Sequence, residues 1–192
     1  MDHIAIISSS VREGRLSHRA ALFLQNYITR RYNVTAEILD LRAYDFPLFT
    51  ERFMFQKEPS GKLLDFTGRF TRADGIWIVT PVYNASFPAA LKNVIDLYYK
   101  EWMRKPVAVT TVTSGMVPGI ATLQEVQSLL LKLGAIVTPV MHTVIEVGKE
   151  YDEQGVPTRK ENAEALAKPT LDEFIALGDL ITGKKTLLLP EK

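Results

Sequence analysis

Four short apolar runs without polar alternation constrain this chain more than any other feature: Ile4 to Ile7, Ile76 to Val79 ("IWIV"), Val107 to Val112 ("VAVTTV") and Ile136 to Val140. A strand with one solvated face alternates. Runs that do not alternate belong to strands buried on both faces, as in a parallel sheet covered by helices. Asn33 to Leu41 ("NVTAEILDL") alternates more and reads as a fifth strand. Helical stripes separate the runs: Ala20, Leu24, Tyr27 and Ile28; Leu63, Phe66 and Phe70; Leu91, Val94, Ile95 and Tyr98; Leu123, Val126, Leu130 and Leu133. Leu171, Phe174 and Ile175 mark a last helix after Pro169. Strand alternating with helix implies right-handed βαβ units and a doubly wound α/β sheet.

The chain has 192 residues, the size of one such domain, and it contains no repeat, low-complexity tract or linker. One domain over residues 1–192 is expected. Arg42 to Pro59, a Phe-rich loop, and Glu146 to Pro157, a polar one, are the less regular segments. A net charge of +1 gives no electrostatic case for nucleic acid or a membrane surface as partner. The absence of cysteine excludes disulfides, thiolate metal sites and Cys nucleophiles. No apolar run reaches membrane-spanning length and no signal-peptide pattern opens the chain, so the cytoplasm is the expected location.

Open parallel sheets bind ligands beyond the carboxyl ends of their strands. The loops at those ends read "SSSVREGRLS", "TPVYNASFP" and "TVTSGMVPG". In the first, Ser8, Ser9, Ser10 and Ser17 offer hydroxyls, Arg12 and Arg15 offer charge, and the following helix offers free N–H groups, a set suited to a phosphate. The alternative is that the serines cap the helix and the arginines are solvated. Neither "GxGxxG" nor "GxxxxGK[ST]" is present, which argues against a dinucleotide fold of the usual kind and against an NTPase. In the second loop Pro81 and Pro88 fix the backbone around Tyr83, Asn84 and Ser86, holding peptide groups ready for a planar ligand on which Tyr83 can stack. Asn93 and Asp96 fit a helix surface or loop bracing better than ligand contact.

These three loops resemble the flavin loops of the NADPH-dependent FMN reductase family, relatives of flavodoxin that include quinone, azo-dye and chromate reductases. "PVYNASFPAALKNVID" is nearly the complete middle motif of that family, "SSSVREGRLS" a looser version of its first and "TSGMVPG" of its third. The resemblance covers roughly the first 140 residues. It implies a flavodoxin-like five-stranded parallel sheet of order 2-1-3-4-5 with helices on both faces. It assigns Ser10, Arg12, Ser17 and His18 to the FMN phosphate, with Ser9 and Arg15 beside them. Pro81, Val82, Tyr83, Asn84 and Ser86 fall to the isoalloxazine edge and ribityl chain, and Thr113, Ser114 and Gly115 to the other edge of the ring. Two positions depart from the pattern: Ser17 stands where many members carry Asn or Gly, and Pro118–Gly119 where Gly-Gly is common.

The resemblance further implies NADPH or NADH as hydride donor, a small acceptor such as a quinone, free flavin, azo compound or metal oxyanion, and no catalytic acid or base from the protein. The competing readings are a flavodoxin-like electron carrier without enzymatic activity, and a regulatory module for another phosphorylated ligand. Family members work as dimers or tetramers. Tyr98, Tyr99, Trp102 and Met103, with Phe46, Leu48, Phe49, Phe53, Met54 and Phe55, are material either for such an interface or for completing the core. No metal site is expected, because His3 and His142 lack partners at ligand spacing. No Gly-x-Ser-x-Gly elbow supports a hydrolase. The terminal "TGKKTLLLPEK" suits a tail packed on a neighbour or a disordered one.

Overall fold

The apolar runs form the centre of one parallel sheet in the computed structural model, which describes residues 1–189. The strands are β1 (His3–Ser8), β2 (Thr35–Asp40), β3 (Gly75–Pro81), β4 (Pro106–Val112), β5 (Ile136–Val137) and β6 (His142–Val144). They follow the order β2-β1-β3-β4-β5, with β6 also paired to β4, and every pairing is parallel. The seven residues of β3 and the seven of β4 are buried throughout, which is why neither run alternates.

The helices are α1 (Ser17–Arg31), α2 (Leu41–Tyr44), α3 (Gly61–Arg72), α4 (Ala89–Leu97), α5 (Ile120–Lys132), α6 (Val147–Glu150) and α7 (Lys160–Thr182). The period-2 pleat of the strands divides the core. Ile4, Ile6, Trp77 and Val79 pack with α1 and α7 on one face, whereas Ala5, Ile7, Ile76 and Ile78 pack with α3, α4 and α5 on the other. On the first face the Trp77 indole N–H donates to the Thr110 hydroxyl at 2.7 Å. That hydroxyl lies 2.9 Å from Nδ1 of the buried His142. The three side chains, joined through the Thr110 hydroxyl, tie β3, β4 and β6 together.

Two expectations are corrected. The fifth strand, expected as one run from Ile136 to Val140, is broken. Val107 pairs with Val137 and Thr110 with His142, so two residues on β4 face four on the edge. Pro139 lies within those four and has no N–H to give the ladder. The last helix starts nine residues before Pro169 rather than after it, and passes through the proline. Ala163, Ala167, Thr170, Leu171 and Phe174 keep one face buried across that point. Pro169 and Ala165, whose carbonyl loses its donor, are both exposed, so water can take that carbonyl.

The aromatic material divides. Tyr98 and Trp102 are buried, Phe53 packs near Tyr98 and Phe46 against Tyr44 and Phe66, and Phe70 meets the Trp102 ring at 4.7 Å. Leu48, Phe49, Met54, Phe55, Tyr99 and Met103 remain exposed. Asn93 braces the Phe-rich loop, accepting from the Phe49 N–H and donating to the Pro47 carbonyl. The tail turns back onto the body: Leu188 forms an antiparallel bridge with Tyr32. Residues 190–192, the end of the tail considered above, lie outside the described residues.

Candidate functional site

Strand order reverses beside β1, and there the carboxyl ends of β1, β3 and β4 open on a cavity of about 620 Å³. Its wall is polar on the side of Arg12, Arg15 and Ser17, and apolar on the side of Val82, Met116, Val117 and Val147. A volume in this range suits a mononucleotide-sized ligand.

The first loop forms the polar wall. Its backbone is tied to the sheet by the Ser9 N–H, which donates to the Val79 carbonyl at 3.0 Å. The first turn of α1 has no capping side chain and no acidic residue, so its N–H groups and dipole face the cavity side unopposed. The hydroxyls of Ser9 and Ser17 are buried with no protein partner. Of the two, Ser17 lines the cavity, where its hydroxyl is placed to bond a ligand. Arg12 is exposed, and its side chain makes no bond among the described residues. An uncapped helix, the orphan Ser17 hydroxyl and a free guanidinium fit the phosphate of a bound nucleotide.

Arg15 is differently placed. Both terminal nitrogens bond Asp40 at 2.5 Å, and one also donates to the Ser10 carbonyl. Burial alone would raise the Asp40 carboxyl, but Arg15 and the Arg42 N–H outweigh it and hold the group below the usual carboxylate range. His18 turns away from the cavity and places Nδ1 3.0 Å from the Ser8 hydroxyl. Burial and then the Arg15 charge push its pKa down.

The second loop folds as a two-residue reversal. Tyr83 and Ser86 exchange both backbone hydrogen bonds, and Asn84 and Ala85 between them take φ of 50° and 62°. Both central residues are left-handed, the signature of a type I′ turn. The Tyr83 hydroxyl lies 2.7 Å from the Ser10 hydroxyl and so links the first loop to the second. Ser86 donates to Glu125 of α5 at 2.8 Å. In the third loop the Thr113 hydroxyl donates to the Gly115 carbonyl, and that carbonyl also accepts from the Glu146 N–H. The backbone N–H groups of Asn84, Ala85, Ser114 and Gly115 have no protein acceptor among the described residues.

Of the residues singled out in the sequence, Arg12, Arg15, Ser17, Pro81, Val82, Tyr83, Thr113, Ser114 and Gly115 line the cavity. Ser9 and Ser10 lie buried beneath it, and Asn84 stands exposed at the turn. Ser86 and His18 are occupied elsewhere, by Glu125 and Ser8. Gly119 was visible in the sequence as part of the third loop, but its packing role was not. A Cβ there would stand 2.4 Å from Val82 Cγ2 and 3.0 Å from Thr111 Cβ, so only glycine lets the second and third loops close together. Asp40 escaped notice, since its partner Arg15 is 25 residues away.

A doubly wound parallel sheet whose three carboxyl-end loops meet around one phosphate-suited cavity defines the flavodoxin-like, mononucleotide-binding class of α/β proteins. Within that class the chain belongs to the NADPH-dependent FMN reductase family, whose model matches residues 3–149. The chain is accordingly an FMN-dependent oxidoreductase with a nicotinamide as its electron donor. It is 33% identical over 119 residues to an NAD(P)H-dependent FMN reductase of Schizosaccharomyces pombe, a match spanning 56% of each chain. It is 27% identical over 135 residues to a quinone reductase of Pseudomonas putida, covering 68% of this chain and 70% of that one. FerB, a flavoenzyme NAD(P)H:(acceptor) oxidoreductase of Paracoccus denitrificans, superposes with a TM-score of 0.74 at 23% identity, over 98% of this chain and all of that one, and so shares the fold.

Proposed function

We propose that this chain binds FMN in the cavity with its phosphate against Arg12, Ser17 and the start of α1, and catalyses electron transfer from NADPH or NADH to a small acceptor such as a quinone, free flavin, azo compound or metal oxyanion. The observation that carries the reading is the unpartnered Ser17 hydroxyl at the uncapped start of α1, on the same cavity wall as a free Arg12. FMN, when bound, supplies the two-electron chemistry. The chain's part is to bind, orient and stabilise charge. The free N–H groups of Asn84, Ala85, Ser114 and Gly115 offer donors to anionic oxygens and nitrogens at the ring edge. The Tyr83 N–H, by contrast, is spent on Ser86 and takes no part. Val82, Met116 and Val117 present an apolar wall for a planar ring. Donor and acceptor share one mouth and must enter in turn.

No helix among the described residues is long and apolar enough to cross a membrane. One domain acting in the cytoplasm as a homodimer or homotetramer completes the reading, and the exposed apolar side chains of the Phe-rich loop support the assembly. Steady-state oxidation of NADPH and NADH by the FMN-loaded protein, with a quinone as acceptor, tests the activity. Parallel double-reciprocal lines are expected. A protein that holds FMN yet leaves nicotinamide unoxidised would be an electron carrier instead.

A further inference from the structure

We propose that Asp40 and Arg15 form a strut that positions the phosphate-side loop, leaving Arg12 as the cation that grips the phosphate; this rests on the FMN reading above. Arg15 reaches the cavity wall, where an arginine is ordinarily read as a phosphate ligand. Its geometry says otherwise. The planar fork is matched to both Asp40 oxygens at 2.5 Å, and the same guanidinium holds the Ser10 carbonyl at 2.5 Å. The Arg15 side chain is 9% exposed and that of Asp40 23%, so the two form a partly shielded ion pair. With both terminal nitrogens engaged on Asp40, the positive charge that Arg15 offers the cavity is largely neutralised.

The strut is anchored at its far end. Asp40 closes β2 in register with Ser8 and accepts the Arg42 N–H at 3.0 Å, so sheet and α2 both fix it. At its near end it holds Ser10, whose hydroxyl lies 2.7 Å from that of Tyr83. One chain of contacts thus runs from the end of β2 through the first loop into the second. Asp40 does not line the cavity, and it and Arg15 act as positioning residues for both loops.

The test compares FMN with riboflavin, which lacks the phosphate, by quenching of flavin fluorescence on the full chain stripped of flavin. The ratio of the two dissociation constants reports the phosphate grip alone. Arg12→Ala is expected to lower that ratio about tenfold or more, the size of a lost charge-assisted bond. Asp40→Asn and Arg15→Ala are expected to weaken both ligands by a similar factor, leaving the ratio within about twofold of wild type. The double variant is expected to be no weaker than the worse single one, because the two residues act as one unit. Arg15→Lys should not rescue, since an ammonium cannot span both carboxylate oxygens and Ser10. Should Arg15→Ala fail to fold, the near-isosteric Asp40→Asn still gives the ratio. A ratio that collapses in Arg15→Ala as it does in Arg12→Ala, or single effects that multiply in the double variant, would overturn the strut while leaving the proposed function standing. Wild-type protein that binds neither flavin would contradict both.

Discussion

Single residues in this fold are decided by what faces them across the sheet, and His142 is the clearest case. It is fully enclosed, is hydrogen-bonded to the Thr110 hydroxyl and is pushed down to about 4 by burial. Its folded value therefore lies below the unfolded one of 6.5. The stability that comes from burying it neutral is fully present above pH 6.5 and is lost as pH falls toward 4, because the unfolded chain binds the proton first. The loss amounts to roughly 3 kcal/mol over that window. His18, also pushed down, adds in the same direction. Denaturant titrations at several pH values should show this acid limb, and His142→Gln, which keeps an acceptor, should flatten it. Identical limbs in the two proteins would show that His142 does not titrate on unfolding. Arg15 makes a related point: the sequence displays its charge but not the carboxylate that neutralises it.

Elements were legible in the sequence wherever burial was complete. β1, β3 and β4 announced themselves because parallel strands covered on both faces cannot alternate, and the stripes of α1, α3, α4 and α5 because each buries one face. Legibility failed where tertiary packing overrode local preference. Pro139 interrupts the edge strand, whereas Pro169, equally exposed, lies within α7, whose buried face of Ala163, Ala167, Thr170, Leu171 and Phe174 holds the helix together across it. The loops were legible as a set, but their closure on one another through Gly119, and through the hydroxyls of Ser10 and Tyr83, was not. The type I′ turn of the second loop holds Ala85 at φ 62°, a conformation that costs a non-glycine residue about 1–2 kcal/mol. Ala85→Gly should therefore stabilise the protein by up to about 1 kcal/mol in chemical denaturation. A destabilised Ala85→Gly would show that the Cβ makes contacts worth more than the strain.

At the scale of the whole molecule, the exposed apolar groups are unevenly placed. Leu48 is 82% exposed and Phe55 59%, on the loop that Asn93 holds rigid. A braced loop that presents apolar side chains to water suits association better than folding back onto the core. Light scattering is expected to give two or four chain masses, and Leu48→Asp with Phe55→Asp to shift the particle toward one. A single chain mass for the wild type would remove the assembly from the account. The open sheet edge is protected against uncontrolled pairing by side chains: Gln25 donates to the Ala36 carbonyl and Arg69 to that of Ile38, both on β2.

The central claim is that three loops at one end of a wound sheet hold FMN by its phosphate, with Arg12 as the cation. Titrating the flavin-free protein with FMN and following the quenching of flavin fluorescence tests it most directly. One FMN per chain is expected, bound at least about tenfold more tightly than to Arg12→Ala. Absence of binding, or equal affinity in the two proteins, would contradict it.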